Sequence, residues 1–131
     1  MIKGISNDTA SDDQLTRAII GCAFAVGRGL GIGFYEKCYE NALANKLRKA
    51  GFTVDQQHAV TVAFEGDVIG TYVTDLIVNN TVVLELKAVS ALNSAHVAQC
   101  LNFLKASGLQ TCLLLNFGTP SLEVRRLTRP A

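Results

Sequence analysis

Residues 82–90 read Val-Val-Leu-Glu-Leu-Lys-Ala-Val-Ser, and the fold turns on how this stretch is understood. Val82, Val83, Leu84, Leu86, Ala88 and Val89 make a nearly continuous apolar run, the pattern of a strand covered on both faces. Glu85 and Lys87 interrupt it two residues apart. Side chains alternate along a strand, so the acid and the base project on one side and Leu84, Leu86 and Ala88 on the other. Val83 and Val89 share the acid's side, so that face is expected to be covered as well. A charge in such a place is costly unless it is paired or bound to a metal.

The preceding segment supplies a second acid, Asp75, followed by Leu76, Ile77 and Val78. Whether it meets Glu85 depends on the hairpin. A two-residue turn at Asn79-Asn80 pairs Thr74 with Glu85 and sends Asp75 to the opposite face. A three-residue turn that includes Thr81, or a bulge, sets Asp75 across from Glu85. Three charged groups on one buried face make more physical sense than a stranded Asp75, so the second register is expected. Two carboxylates beside a lysine suit a hard cation such as Mg²⁺, which takes a few carboxylate oxygens and keeps waters or phosphate oxygens for the rest. Lys87, flanked by acids, is expected to stay protonated and to position water or stabilise developing negative charge. On spacing alone, a purely structural Asp–Lys–Glu ion pair remains the alternative.

Working outward, the chain has 131 residues, enough for one good core. Residues 1–11 are expected to form a flexible N-terminal segment and residues 12–131 a single domain. Apolar residues make up 49% and charged ones 18%, which excludes a disordered chain and leaves room for an interface, as in a homodimer. The net charge of +1 gives no overall pull toward nucleic acid. Lys46, Arg48 and Lys49 form one basic cluster, and Arg125, Arg126 and Arg129 another; a solvated helix face and a polar tail account for them. The four cysteines form no C-x-x-C pair, and with only His58 and His96 available a zinc site is not expected. The N-terminus has no apolar signal region, and the longest apolar run, residues 18–26, falls short of the roughly 20 residues needed to span a bilayer. A cytoplasmic protein with no membrane contact is expected.

Periodicity supplies the other elements. Ser11 and Gln14 have the spacing of a capping box, and Leu15, Ala18, Ile19, Cys22, Ala23 and Val26 recur at helical spacing, predicting a helix over about 12–28. The glycines of residues 27–33 break it and fit a helix–helix connection, since the stretch matches no phosphate-binding motif. A second helix is expected over about 34–50, closed by Gly51. Its apolar face comprises Tyr35, Cys38, Tyr39, Ala42, Leu43, Leu47 and Ala50, with Glu36 inside the arc. Strands follow from Phe52, turning at residues 65–67, and over 68–78. A third helix, capped by Asn93 or Ser94, carries Val97, Leu101 and Leu104 and ends near Gly108. Residues 111–117 read as a buried strand and residues 121–127 as an edge strand.

These residues resemble a known family. Asp75 with Glu85-Leu86-Lys87 is similar to the D…(D/E)-x-K signature of the PD-(D/E)XK nuclease superfamily, with Thr74 where the signature has proline. Residues 33–39, Gly-Phe-Tyr-Glu-Lys-Cys-Tyr, match G-x-x-E-x-x-Y, and the chain over about 12–127 resembles the small GxxExxY proteins placed in that superfamily. The resemblance implies an α/β fold with a restriction-endonuclease-like αβββαβ core, a mixed central sheet flanked by helices. It implies metal binding (Mg²⁺ or Mn²⁺) by Asp75 and Glu85, catalysis by Lys87, and Glu36 at the edge of the site. Gln99 corresponds to the glutamine of a Q-x-x-x-Y motif, whose tyrosine is here Phe103. His96, Gln99 and Phe103 fall on one side of the third helix, so His96 and Phe103 are expected to face substrate.

The function expected is metal-dependent hydrolysis of phosphodiester bonds in DNA or RNA. The alternative is a catalytically silent module on the same fold that binds nucleic acid or joins an assembly, since a fold does not guarantee its chemistry. A small-molecule enzyme has less support, because no nucleotide fingerprint and no nucleophile–histidine pair is visible.

Overall fold

The computed structural model describes residues 7–129, with side chains from residue 13. The elements, in chain order, are α1 (Asn7–Leu30), α2 (Glu36–Lys49), β1 (Val54–Phe64), β2 (Asp67–Val78), β3 (Val82–Lys87), α3 (Ser94–Ser107), β4 (Thr111–Asn116) and β5 (Glu123–Thr128). This is the expected order. The five strands form one sheet, β1-β2-β3-β4-β5, antiparallel except for the parallel β3–β4 pair. That pair needs a crossover, and α3 supplies it. The fold is therefore the mixed, helix-flanked α/β architecture expected. α1 already covers Asn7, so the turn before Ser11 is helical and Ser11 does not begin the helix; residues 1–6 lie outside the described residues.

Each face of the sheet has its own core. Leu76, Val78, Leu84, Leu86, Leu113 and Leu115 pack under α1 and α2 against Ile19, Ala23, Leu43 and Leu47. Ile77, Val83, Cys112 and Leu114 pack under α3 against Cys100, Phe103 and Leu104. The alternation of β3 and β4 side chains between two covered faces explains why β4 reads as a continuous apolar run and β3 as a nearly continuous one. The cysteines are free: Cys100 and Cys112 act as small core hydrophobes, Cys22 is half-buried and Cys38 exposed.

The buried stripe of α2 differs from the one expected. It runs Tyr39, Glu40, Leu43, Ala44 and Leu47, while Tyr35, Cys38 and Ala50 face solvent. Glu36 lies one turn before Glu40 on that stripe, but at a helix end where nothing covers it. Tyr39 fixes the α1–α2 connection. Its hydroxyl donates to the Gly31 carbonyl at 2.6 Å and accepts from the Phe34 amide at 3.2 Å, and its ring stacks on Phe117 at 4.7 Å. Gly31 and Gly33 have φ of 71° and 110°, which lets the chain reverse there. α3 has the expected ends: Asn93 caps it in a capping box with His96, and Gly108 closes it in the left-handed conformation.

Beyond β3, the chain is pinned by Asn116. This fully buried side chain accepts from the Val89 and Gly118 amides at 3.0 Å and donates to the Val89 carbonyl at 3.0 Å and Glu123 at 2.8 Å. Gly118 packs directly against the same turn: a Cβ there would stand 2.3 Å from the Val89 carbonyl oxygen and 2.4 Å from its nitrogen. Backbone cannot yield as a side-chain tip would. Gly118→Ala is therefore expected to cost about 2 kcal/mol in urea unfolding, an overpacking effect. An unchanged unfolding midpoint would show that the turn after Lys87 is loosely held.

Candidate active site

β2 and β3 pair regularly at Val78↔Val82, Ile77↔Val83 and Leu76↔Leu84. One step further Asp75 stands across from Glu85, and there the strands part. Side chains of β2 take over the ladder at the fork. The Thr74 hydroxyl donates to the Leu84 carbonyl at 3.2 Å, and the Leu86 amide donates to Asp75 Oδ2 at 2.7 Å. The loop sets this register. Asn79 and Asn80 adopt φ of 52° and 54°, the Thr81 amide donates to the Val78 carbonyl at 2.9 Å, and Thr81 stays outside the ladder so that Val78 faces Val82. Of the two registers open in the sequence, the one that brings the carboxylates together is present.

Around this fork lie three further polar side chains anticipated from sequence. Lys87, at the end of β3, is half-buried and donates from Nζ to Gln99 Oε1 at 3.0 Å. Glu36 accepts from the Ala88 amide at 3.3 Å, just past Lys87. Asp75, Glu85, Lys87, Gln99 and Glu36 therefore converge on one end of β3. His96 and Phe103 sit differently. His96 Nδ1 accepts from the Asn93 amide at 3.2 Å, which ties the ring to the helix cap. Phe103 is 1% exposed and belongs to the core under α3, although its ring also lines a cavity of about 410 Å³ with Tyr72, Glu85 and Gln99.

Two residues of the site, Glu40 and Gln57, were not among those anticipated from the sequence. Glu40 is 4% exposed. Its carboxylate accepts from Gln56 Nε2 at 2.7 Å, Gln57 Nε2 at 2.9 Å and Lys37 Nζ at 3.3 Å. Gln57 passes this on, donating from the same amide to Asp75 Oδ1 at 3.3 Å. It does so from a left-handed backbone, φ 54°, in the middle of β1. A non-glycine residue held there is strained, and such strain gathers at functional sites. The only signal in the sequence was an acid in an otherwise apolar helix stripe. Its partners lie on another element, out of reach of periodicity.

The electrostatics follow from this burial. Glu85 is pushed up from its ordinary 4.5 to about 7, first by burial and then by the Asp75 charge; Thr74 and Lys87 offset part of this. Asp75 is also pushed up, by burial and by the charges of Glu40 and Glu36, against the Leu86 amide and Gln57 that favour its ionised form. Glu85 Oε2 is buried and has no hydrogen-bond partner. Two acids that resist ionisation, one with an unused buried oxygen, fit a cation that would neutralise them. Among the described residues no group of three or more His, Cys, Asp and Glu side chains gathers as a metal-ligand set. A cation held by this pair alone would take most of its ligands from non-protein oxygens.

Comparison with known proteins agrees with the architecture. A family profile described as the PD-(D/E)XK nuclease superfamily matches residues 13–127. Comparison with curated proteins gives no match. Among solved structures, an alkaline exonuclease from Laribacter hongkongensis is similar with a TM-score of 0.53 at 15% identity, over 99% of this chain and 73% of its own. The structure titled SSO0001 is similar with a TM-score of 0.58 at 14% identity, over 73% of this chain; the match spans about half, 48%, of its own length. At such identities the likeness concerns the fold. No helix among the described residues is long and apolar enough to cross a membrane.

Proposed function

Because this chain belongs to the PD-(D/E)XK nuclease superfamily, we propose that it is a nuclease hydrolysing phosphodiester bonds in DNA or RNA with Mg²⁺ or Mn²⁺. The closer likeness to GxxExxY proteins is part of this proposal. The observation that carries it is the fork: Asp75 across from Glu85, with Glu85 Oε2 buried and unpartnered beside Lys87. Asp75 and Glu85 would hold the metal, which when bound supplies charge stabilisation at a phosphoryl oxygen. The carboxylates have the capacity, since each Asp75 oxygen accepts one hydrogen bond and keeps a lone pair free.

Lys87 gives one of its three donors to Gln99 and keeps two. One orients the attacking water, and the other meets the negative charge that builds on the phosphate as the water oxygen bonds to phosphorus and the ester oxygen departs. Gln99 holds the ammonium in place. Glu36, at the open mouth, takes the proton that the attacking water gives up, and the departing ester oxygen takes a proton from solvent water. Glu40 and Gln57 act through Asp75 by fixing its orientation, so Gln57→Ala is expected to weaken Mn²⁺ binding by about tenfold, the usual scale for a group that orients a metal ligand. Titration calorimetry checks this; unchanged affinity would reduce Gln57 to a fold residue.

The direct test is cleavage of labelled single- and double-stranded DNA and RNA with Mg²⁺ or Mn²⁺, beside calorimetric Mn²⁺ binding by wild type and Asp75→Asn. Hydrolysis and metal binding that both vanish with Asp75→Asn support the proposal. The near-even charge, +1 overall, favours a second reading, a silent module that binds nucleic acid or joins an assembly. Wild type that binds no Mn²⁺ would select it.

A further inference from the structure

The cavity lined by Glu85 and Gln99 does not stand alone. A second cavity, about 520 Å³, shares Tyr72 and Asn102 with it and runs out to Phe64 and Lys105. Tyr72 lies on β2 and Asn102 on α3. The two spaces therefore adjoin at one residue of each wall and follow one another from Glu85 toward the tip of the β1–β2 hairpin.

The two walls are chemically unlike. On the hairpin side stand two aromatic rings with substantial exposure, Tyr72 at 38% and Phe64 at 63%. Tyr72 pairs with Val60, and Phe64 is four residues further along β1. At about 3.3 Å per residue their backbone positions are about 13 Å apart along the strand, and the two rings offer separate platforms. On the α3 side, Gln99, Asn102 and Lys105 follow at intervals of three on one face, all exposed. They offer two amides and a cation. A groove with π-faces along one wall and amides with a positive charge along the other matches a nucleotide strand: bases stack on the rings and the sugar–phosphate backbone tracks the helix.

A duplex does not present itself this way. Its base faces are stacked on one another, and Tyr72 and Phe64 would have nothing to lie against. The size of the groove agrees, since cavities of several hundred Å³ hold ligands of a few rings. The acidic pair Glu65 and Asp67 at the hairpin turn marks the far end, where a phosphate would not continue.

We propose that this groove is a single-strand track, which binds unpaired DNA or RNA on Tyr72 and Phe64 and along Gln99, Asn102 and Lys105, and feeds it toward Asp75 and Glu85. The inference rests on the nuclease reading for the direction of feed. Recognition is by base stacking, so it tolerates any sequence.

Fluorescence anisotropy with labelled oligothymidylate and with a labelled hairpin duplex tests it, in Ca²⁺ so that the carboxylates are neutralised and binding is read apart from hydrolysis. The single strand is expected to bind more tightly than the duplex. Tyr72→Ala and Phe64→Ala are each expected to weaken it by roughly five- to a hundredfold, with unchanged circular dichroism. Lys105→Glu should weaken binding and flatten its salt dependence. Equal binding of duplex and single strand would overturn the track, as would Ala variants that bind like wild type. So would a change of oligomeric state on Tyr72→Ala without a change in binding, which would make the hairpin a protein interface. Stacking-dependent binding with no cleavage in Mn²⁺ would sink hydrolysis and leave the track. Cleavage with binding that ignores both rings would do the reverse.

Discussion

Replacing Lys87 with alanine is expected to slow phosphodiester hydrolysis about a thousandfold while leaving Mn²⁺ affinity within a few-fold of wild type. The magnitude is that of removing one preorganised donor from a site where negative charge develops. The separation follows from geometry. Asp75 is held by the Leu86 backbone amide and by Gln57, whereas the Lys87 ammonium is bonded to Gln99. Lys87 favours the charged form of Glu85, so a small loss of metal affinity is expected and a large one is not. Lys87→Arg is not a conservative control, because a planar fork cannot reproduce a point charge with three rotatable donors. Gln99→Ala should cost less, since the ammonium loses an anchor at 3.0 Å but stays in the cleft. Single-turnover kinetics with saturating Mn²⁺ would measure both. If hydrolysis by Lys87→Ala matches wild type, the water must be positioned by another group, and Glu36 at the mouth becomes the first candidate.

Much of this site could be read from the sequence because its chemistry is paid for locally. Glu85 and Lys87 announce themselves as charges inside an apolar strand, and the cost of burying Asp75 alone selected the register that the loop adopts. The helices followed from spacing, and α3 from Asn93 and Gly108. What escaped was non-local. Glu40 sits in an apolar stripe because Gln56 and Gln57, 16 and 17 residues away, satisfy it; helical periodicity found Tyr39, Leu43 and Leu47 on that face but added Tyr35, Cys38 and Ala50 and left out Glu40. Asn116 gave no sign of pinning Val89, since the two hydrogen bonds it makes to a residue 27 positions away leave no trace in spacing. The hairpin beyond Val60 has the alternation of a half-buried strand, yet Phe64, Val68 and Ile69 lie in solvent. Pattern reports what a strand can bury, not whether the fold supplies something to bury it against.

In chelator, the wild-type protein is expected to lose stability as pH rises from about 4.5 to about 7. Glu85 titrates near 7 when folded and near 4.5 when unfolded. Between those values the folded state holds the proton and the unfolded state has released it, so the slope of unfolding free energy with pH is negative. The stability is fully present below the unfolded value and is lost as pH passes the folded one, on the order of 3 kcal/mol. Asp75, shifted in the same direction, adds to the fall. Glu85→Gln keeps the shape and removes the ionisation. It should erase most of this pH dependence and, in chelator at pH 8, melt above wild type. Saturating Mn²⁺ should reverse the order, because a cation bound only by the folded form stabilises it in proportion to the logarithm of its concentration over the dissociation constant, and the variant has lost a ligand. Thermal unfolding of both proteins across this range, with EDTA and with Mn²⁺, separates the cases. A wild-type curve flat in EDTA would mean that Glu85 finds a partner in solution; a curve that falls in EDTA and stays low in Mn²⁺ would mean that the two carboxylates meet without forming a metal site.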